Sequence, residues 1–149
     1  MKFDTASSNN LLGTLAEFRF ELRKFQQFSE GAALEAGLQP QQHQLLLQVA
    51  GAAEGTSVTI AYAANRLRLK HNSTVELVDR SELEGLIERT ADEDDKRRAI
   101  LRLTRKGRQV LHKLSDDHVR ELNEMAPRLV QALRRVRLHS RASLAAEVQ

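Results

Sequence analysis

The chain has 149 residues, which suits one domain, or one compact domain with accessory helices, around a real hydrophobic core. It has no cysteine, which excludes a disulfide framework, a thiolate metal site and a thiol-based redox switch. The net charge of +3 is unevenly spread: residues 1–40 carry four basic and five acidic side chains, whereas residues 128–141 carry five arginines and no acid. That distribution permits a positive surface for nucleic acid away from the N-terminus.

Met1 to Asn10 holds Asp4 and several polar residues instead of a basic stretch followed by an apolar run, so it does not read as a signal peptide. No segment approaches the ~18 consecutive apolar residues of a membrane span, so a cytoplasmic protein with no membrane partner is expected. Leu11, Leu15, Phe18, Leu22 and Phe25 recur at alternating spacings of four and three, with Phe28 close behind; this predicts a long amphipathic helix whose seam wants another helix. Gly31 and Gly37 loosen the end of that pattern. Pro40 suits the first turn of a second helix through Leu45, Leu46, Leu47 and Val49. The Gly51 to Ser57 loop has two glycines but no following Gly-Lys-Ser/Thr, so it reads as a connector and not as a phosphate loop.

A short helix through Ala61, Ala63, Ala64 and Leu67 follows, then a turn at Lys70 to Asn72. Ser73-Thr74-Val75-Glu76 has the form of a capping box, which predicts a helix starting near Ser73. Its apolar side is expected to hold Val75, Val78 and Leu83, leaving Thr74, Leu77 and Arg80 more exposed. Two short helices with a tight turn make a helix-turn-helix. Leu86 to Arg89 and Ala99 to Leu103 are strand candidates around a charged tip, Ala91 to Arg98. Thr104 can cap a further helix, and Pro127 is expected to break or restart it before a terminal helix with Leu129, Val130, Leu133, Val136 and Leu138 on its apolar side.

From Val58 to Gly107 this order of elements comes with specific wording. The stretch NSTVELVDRSELEGLIER resembles the recognition helix and first wing strand of the MarR (multiple antibiotic resistance regulator) family. DEDDKRRAILRLTRKGRQVL resembles its wing tip, second strand and following helix: Asp94-Asp95-Lys96-Arg97 is followed, seven residues after Arg97, by Thr104 and then by Gly107. Ser81 and Ala63 depart from the family's usual apolar residue and leucine. The resemblance implies a mainly α fold with a small β-hairpin wing (α+β), a winged helix-turn-helix over 38–104 flanked by dimerisation helices over 1–37 and 105–149. It also implies a homodimer on a pseudo-palindromic double-stranded DNA operator, with repression as the usual outcome.

For DNA contact, Asn72, Ser73 and Thr74 at the start of the recognition helix, where backbone donors also meet phosphate, and Leu77 and Arg80 further along are the candidates. His71 is a weaker one. Glu76 is divided between capping and accepting a hydrogen bond from cytosine. In the wing, Arg97 suits a narrow minor groove, Lys96 and Arg98 suit backbone phosphates, and the resemblance implies that Asp95 orients Arg97. Family members take small aromatic or anionic effectors, for which Phe18, Arg19, Leu22, Phe25, His43 and Leu46 are candidates by position, each more often a core or seam residue. His112 and Asp116 form an i, i+4 pair, but spacing forces no third metal ligand, and neither metal nor cofactor is expected. No nucleophile elbow or His-Glu-x-x-His helix supports an enzyme. The alternative to an operator-binding regulator is a winged-helix protein-interaction module.

Overall fold

A computed structural model describes residues 5–147; Met1 to Asp4, part of the stretch read above for a signal peptide, lie outside the described residues. Five helices and one hairpin follow in the expected order: α1 (Thr5–Glu35), α2 (Pro40–Ala50), α3 (Ile60–Leu67), α4 (His71–Leu83), β1 (Ile87–Ala91), β2 (Ala99–Leu103) and α5 (Arg105–Glu147). No helix among the described residues is long and apolar enough to cross a membrane. The chain divides into two compact units, one spanning Glu30–Asp117 and the other combining the chain up to Ser29 with His118 onward. The divisions therefore fall inside α1 and α5, where the sequence-based boundaries at 37/38 and 104/105 lie at loops.

The Glu30–Asp117 unit has a single apolar core in which Leu45 and Leu46 of α2, Ala63 of α3, Leu77 and Val78 of α4, Ile87 and Leu101 of the hairpin, and Leu114 of α5 are all almost fully buried. The hairpin is antiparallel, with Ile87 opposite Leu103 and Ala91 opposite Ala99. Its period of two turns Ile87, Leu101 and Leu103 into the core and leaves Glu88 and Arg102 outside. The N–H of Leu101 donates to the carbonyl of Val58 at 2.8 Å, so the chain before α3 lies along β2.

Three helices of this unit end in the same way. One or two residues past the helix the chain takes a left-handed conformation, and the next N–H reaches back five residues: Leu38 to Ala33, Leu69 to Ala64 and Leu86 to Ser81, each at 2.9–3.0 Å. Gly37 and Gly85 occupy two of the left-handed positions, at φ 83° and 72°, and Arg68 occupies the third at φ 56°. Gly31 does not weaken α1, which continues to Glu35 and stops at the Gly37 motif.

At the start of α5 the expected cap is present: Thr104 Oγ1 accepts from the N–H of Gly107 at 3.0 Å. The same hydroxyl donates to the carbonyl of Gly85, and the N–H of Thr104 donates to the carbonyl of Leu86 at 3.1 Å. Gly107 has a steric reason to be glycine, because a Cβ there would lie 2.2 Å from the Leu86 carbonyl oxygen.

In the other unit, Met125 and Ala132 of α5 are buried and sit seven residues apart on one face. Pro127 lies between them inside a continuous helix, which corrects the expected break. The proline removes one backbone donor, but the flanking turns are rich in leucine, arginine and glutamate and free of glycine, and packing on both sides of it holds the helix together. Glu21 is almost fully buried and pairs with Lys24 at 3.2 Å and Arg128 at 3.5 Å. His118 Nε2 lies 2.8 Å from Ser29 Oγ, with Phe25 and Phe28 edge-on to its ring. Leu11, Leu12 and Leu15 of α1, and Val119, Leu122, Val130, Leu133 and Leu138 of α5, remain exposed.

Candidate nucleic-acid interface

The turn before α4 is built by Arg68, Leu69 and Lys70. Arg68 reverses the chain in the left-handed region, Leu69 is half-buried against the core, and Lys70, extended at φ −68° and ψ 153°, is the N-cap of α4. The helix thus starts at His71, two residues earlier than the capping-box reading of Ser73 and Glu76. Lys70 makes no side-chain cap, and Ser73 and Glu76 both lie on the exposed side of the helix.

The phase of α4 also differs from the expected one. Thr74, Leu77, Val78 and Ser81 form its buried stripe, at i, i+3, i+4 and i+7, each 0% exposed. Thr74 and Leu77, expected on the DNA side, are therefore core residues whose side chains offer nothing to a base edge. Leu83, expected in the core, is 89% exposed at the end of the helix. The cause is chemical: Thr74 Oγ1 donates to the Lys70 carbonyl at 3.0 Å, and Ser81 Oγ donates to the Leu77 carbonyl at 2.8 Å. Both hydroxyls satisfy themselves on their own helix and so tolerate burial. A stripe half made of hydroxyl residues has no apolar signature in the sequence. Ser81 is thus accommodated where an apolar residue is usual, and Ala63 is fully buried in its own position.

The outward face of α4 consists of His71, Asn72, Ser73, Glu76, Asp79, Arg80 and Glu82, with Leu83 at its end. Arg80 makes no ion pair among the described residues, neither with Glu76 nor with Glu84. Asp79 and Glu82 are both held by Arg89 of β1, whose guanidinium reaches Asp79 at 2.5 Å and Glu82 at 2.9 Å. The hydrogen bond to Asp79 chiefly, and the charge of Glu82, raise the Arg89 pKa above its ordinary value. This clamp ties the helix to the hairpin. It was invisible in the sequence because the partners are seven and ten residues apart across a turn.

The hairpin tip, residues 92–98, is organised by two carboxylates. Asp92 is buried; its Oδ1 accepts from the N–H of Asp94 at 3.0 Å, and its Oδ2 from Arg98 Nη2 at 2.7 Å. The Asp94 N–H first, then the Arg98 guanidinium, hold the Asp92 carboxyl below its ordinary pKa. Asp95 Oδ1 accepts from the N–H of Arg97 at 3.1 Å and from its Nε at 3.2 Å. The Arg97 side chain, 91% exposed, projects from the tip while pinned at its base. Lys96 is exposed beside it. Arg98, expected to grip phosphate, is turned to Asp92, with Asp95 3.9 Å away. Asp92 thus organises the tip alongside Asp95, although nothing in the sequence singles it out, and the same holds for Arg66, Arg68 and Lys70, exposed cations on and after α3.

Of the residues considered for an effector, Phe18, Leu22 and Phe25 are half-buried and Arg19 exposed on the α1 portion of one unit, and His43 and Leu46 are buried in the other. Leu46 is fully enclosed by the core and His43 is 2% exposed, so neither presents surface to a ligand; Leu46 is a packing residue. A cavity of about 550 Å³ is lined instead by Asn10, Gly13, Thr14, Glu17, Arg135, Leu138, His139 and Ala142, none of which was among the six.

Residues 36–98 match the model of the MarR family. No curated protein sequence matches the chain significantly. Among solved structures it is similar to a MarR family transcription regulator (TM-score 0.74, 19% identity, covering 97% of this chain and 96% of the other). It is also similar to the Staphylococcus aureus MepR–DNA complex (TM-score 0.61, 21% identity, 88% and 93%) and to CouR of Rhodococcus jostii RHA1 bound to p-coumaroyl-CoA (TM-score 0.59, 25% identity, 68% and 69%).

Proposed function

We propose that the chain, whose residues 36–98 match the MarR family model, is a sequence-specific DNA-binding transcriptional regulator, a repressor, acting as a homodimer on a pseudo-palindromic operator. The observation that carries this reading is the wing tip, where one carboxylate fixes the backbone and Nε of Arg97 and leaves the rest of its guanidinium in solvent. A cation held at its root and free at its head loses little conformational freedom on entering a narrow minor groove, where the negative potential favours guanidinium. Helix α4 enters the adjacent major groove, with Asn72 and Arg80 toward base edges and Ser73 and the first backbone N–H groups toward phosphate. Lys96 contacts phosphate from the wing, while Arg98 braces the tip through Asp92.

The dimer is supported by the exposed apolar side chains of α1 and α5, which a monomer would leave in water. Two copies related by a two-fold axis match half-sites about one helical turn, roughly 34–36 Å, apart. A small aromatic or anionic effector that favours a different spacing of the two α4 helices lowers operator affinity. CouR of Rhodococcus jostii RHA1, to which the chain is similar, binds p-coumaroyl-CoA, which supports this reading.

The test is capture of genomic DNA fragments by the purified protein at two salt concentrations, for wild type and Arg97→Ala. A short inverted repeat should be enriched by wild type, with affinity falling steeply with salt as phosphate-bound counterions are released, and Arg97→Ala should weaken capture about ten-fold or more. Absence of enrichment by the wild-type dimer at low salt would overturn DNA recognition in favour of a protein-interaction module.

A further inference from the structure

The geometry points to Glu76 as a base-reading residue that selects cytosine in each half-site, its carboxylate accepting a hydrogen bond from the cytosine N4 amino group. The inference rests on the DNA-binding reading above. Asn72, Glu76 and Arg80 are all exposed and stand at i, i+4 and i+8, one ridge of α4 with roughly 6 Å between successive residues. The ridge is opposite the buried stripe of Thr74, Leu77, Val78 and Ser81, so it is the part of the helix that faces away from the core. Glu76 is the sixth residue of the helix, within the N-terminal half that approaches base edges in helix-turn-helix complexes.

The other carboxylates of α4 and of its C-cap residue have intramolecular work. Asp79 and Glu82 bind Arg89, and Glu84 accepts from Gln42 Nε2 at 3.1 Å. Glu76 has no ion-pair or hydrogen-bond partner of this kind among the described residues, and the start of α4 shows that it does not serve a capping box. An unpaired carboxylate in the middle of a DNA-facing ridge would be repelled by every phosphate it approached. It is compatible with tight binding only where it meets a donor.

The major groove narrows the choice. A carboxylate at pH 7 only accepts hydrogen bonds. Guanine and thymine present acceptors and repel it; adenine presents its N6 donor beside the N7 acceptor; cytosine presents the N4 donor without a neighbouring acceptor. Glu76 thus both rewards cytosine and penalises the other bases, the two halves of specificity. Glutamine at this position would offer an acceptor and a donor together, the pair that adenine N6 and N7 require.

The experiment is selection from a pool of randomised duplexes by the intact protein, for wild type, Glu76→Gln and Glu76→Ala, with circular dichroism and gel filtration to show that the exposed substitutions leave fold and assembly unchanged. Wild type should select cytosine at one position of each half-site by roughly tenfold or more. Glu76→Gln should move that same position toward adenine, and Glu76→Ala should flatten it while the rest of the site is unchanged. If all three proteins select the same site, Glu76 does not read a base and the proposal fails while DNA binding stands. If none selects any site at low salt, DNA recognition fails and this proposal with it.

Discussion

Gly107→Ala is the substitution whose consequence follows most directly from the geometry. The added Cβ would sit 2.2 Å from the Leu86 carbonyl oxygen, whereas ordinary contact begins near 3.4 Å, so about 1.2 Å of separation must be found between backbone atoms. Neither side yields easily. The Leu86 carbonyl accepts the Thr104 N–H, and Thr104 is fastened to both Gly85 and Gly107, so any retreat of α5 strains the junction between the end of α4, the hairpin and the first turn of α5.

Overpacking costs about 1–3 kcal/mol and a lost hydrogen bond about 1 kcal/mol. The better helix propensity of alanine returns about 1 kcal/mol. The net expectation is a loss of about 2 kcal/mol, or a fall in Tm of roughly 4–8 °C for a chain of this length. Gly31→Ala is the control in the same unit: Gly31 lies inside α1 with nothing within 4 Å of its would-be Cβ, so alanine should stabilise by about 0.5–1 kcal/mol. Urea and thermal unfolding followed by circular dichroism, at one fixed protein concentration, measure both. A Gly107→Ala protein as stable as wild type would refute the close-approach argument; equal destabilisation by both would show that only general helix disruption is being measured.

Two further outcomes are expected. Arg68→Gly should raise stability by about 1 kcal/mol, because Arg68 holds a left-handed conformation that costs a side-chain-bearing residue roughly 1–2 kcal/mol and glycine little; a lower Tm for the variant would count against this. Asp92, with its pKa below the ordinary 3.8, contributes stability to the wing tip that is fully present above that value and is lost as pH falls through the lowered one. An NMR titration should therefore find the Asp92 carboxyl midpoint below 3.8, with the Asp94 amide resonance moving alongside it; a midpoint at or above 3.8 would contradict the arrangement.

Most of what could be read from the sequence is governed by near neighbours. The apolar spacings of Leu11 to Phe28 and Leu45 to Val49, the short strand-like run of Ala99 to Leu103, the Pro40 start and the Thr104 cap each depend on residues within a turn or two, and so the order and kind of the elements were legible. The contact between Asp95 and Arg97 spans two residues and belongs to the same class.

What remained hidden depends on partners distant in the chain. The face that α4 buries was decided by the core it packs against, which accepts the Thr74 and Ser81 hydroxyls because their hydrogen bonds close locally. The Arg89 clamp joins a strand to a helix across a turn, and the continuity of α5 through Pro127 depends on packing at Met125 and Ala132. The necessity of Gly107 lies in a carbonyl twenty-one residues away. Periodicity and capping chemistry act along the chain and are written in it, whereas the phase of a helix, the partners of a guanidinium and the clearance around a Cβ arise only when separate segments meet.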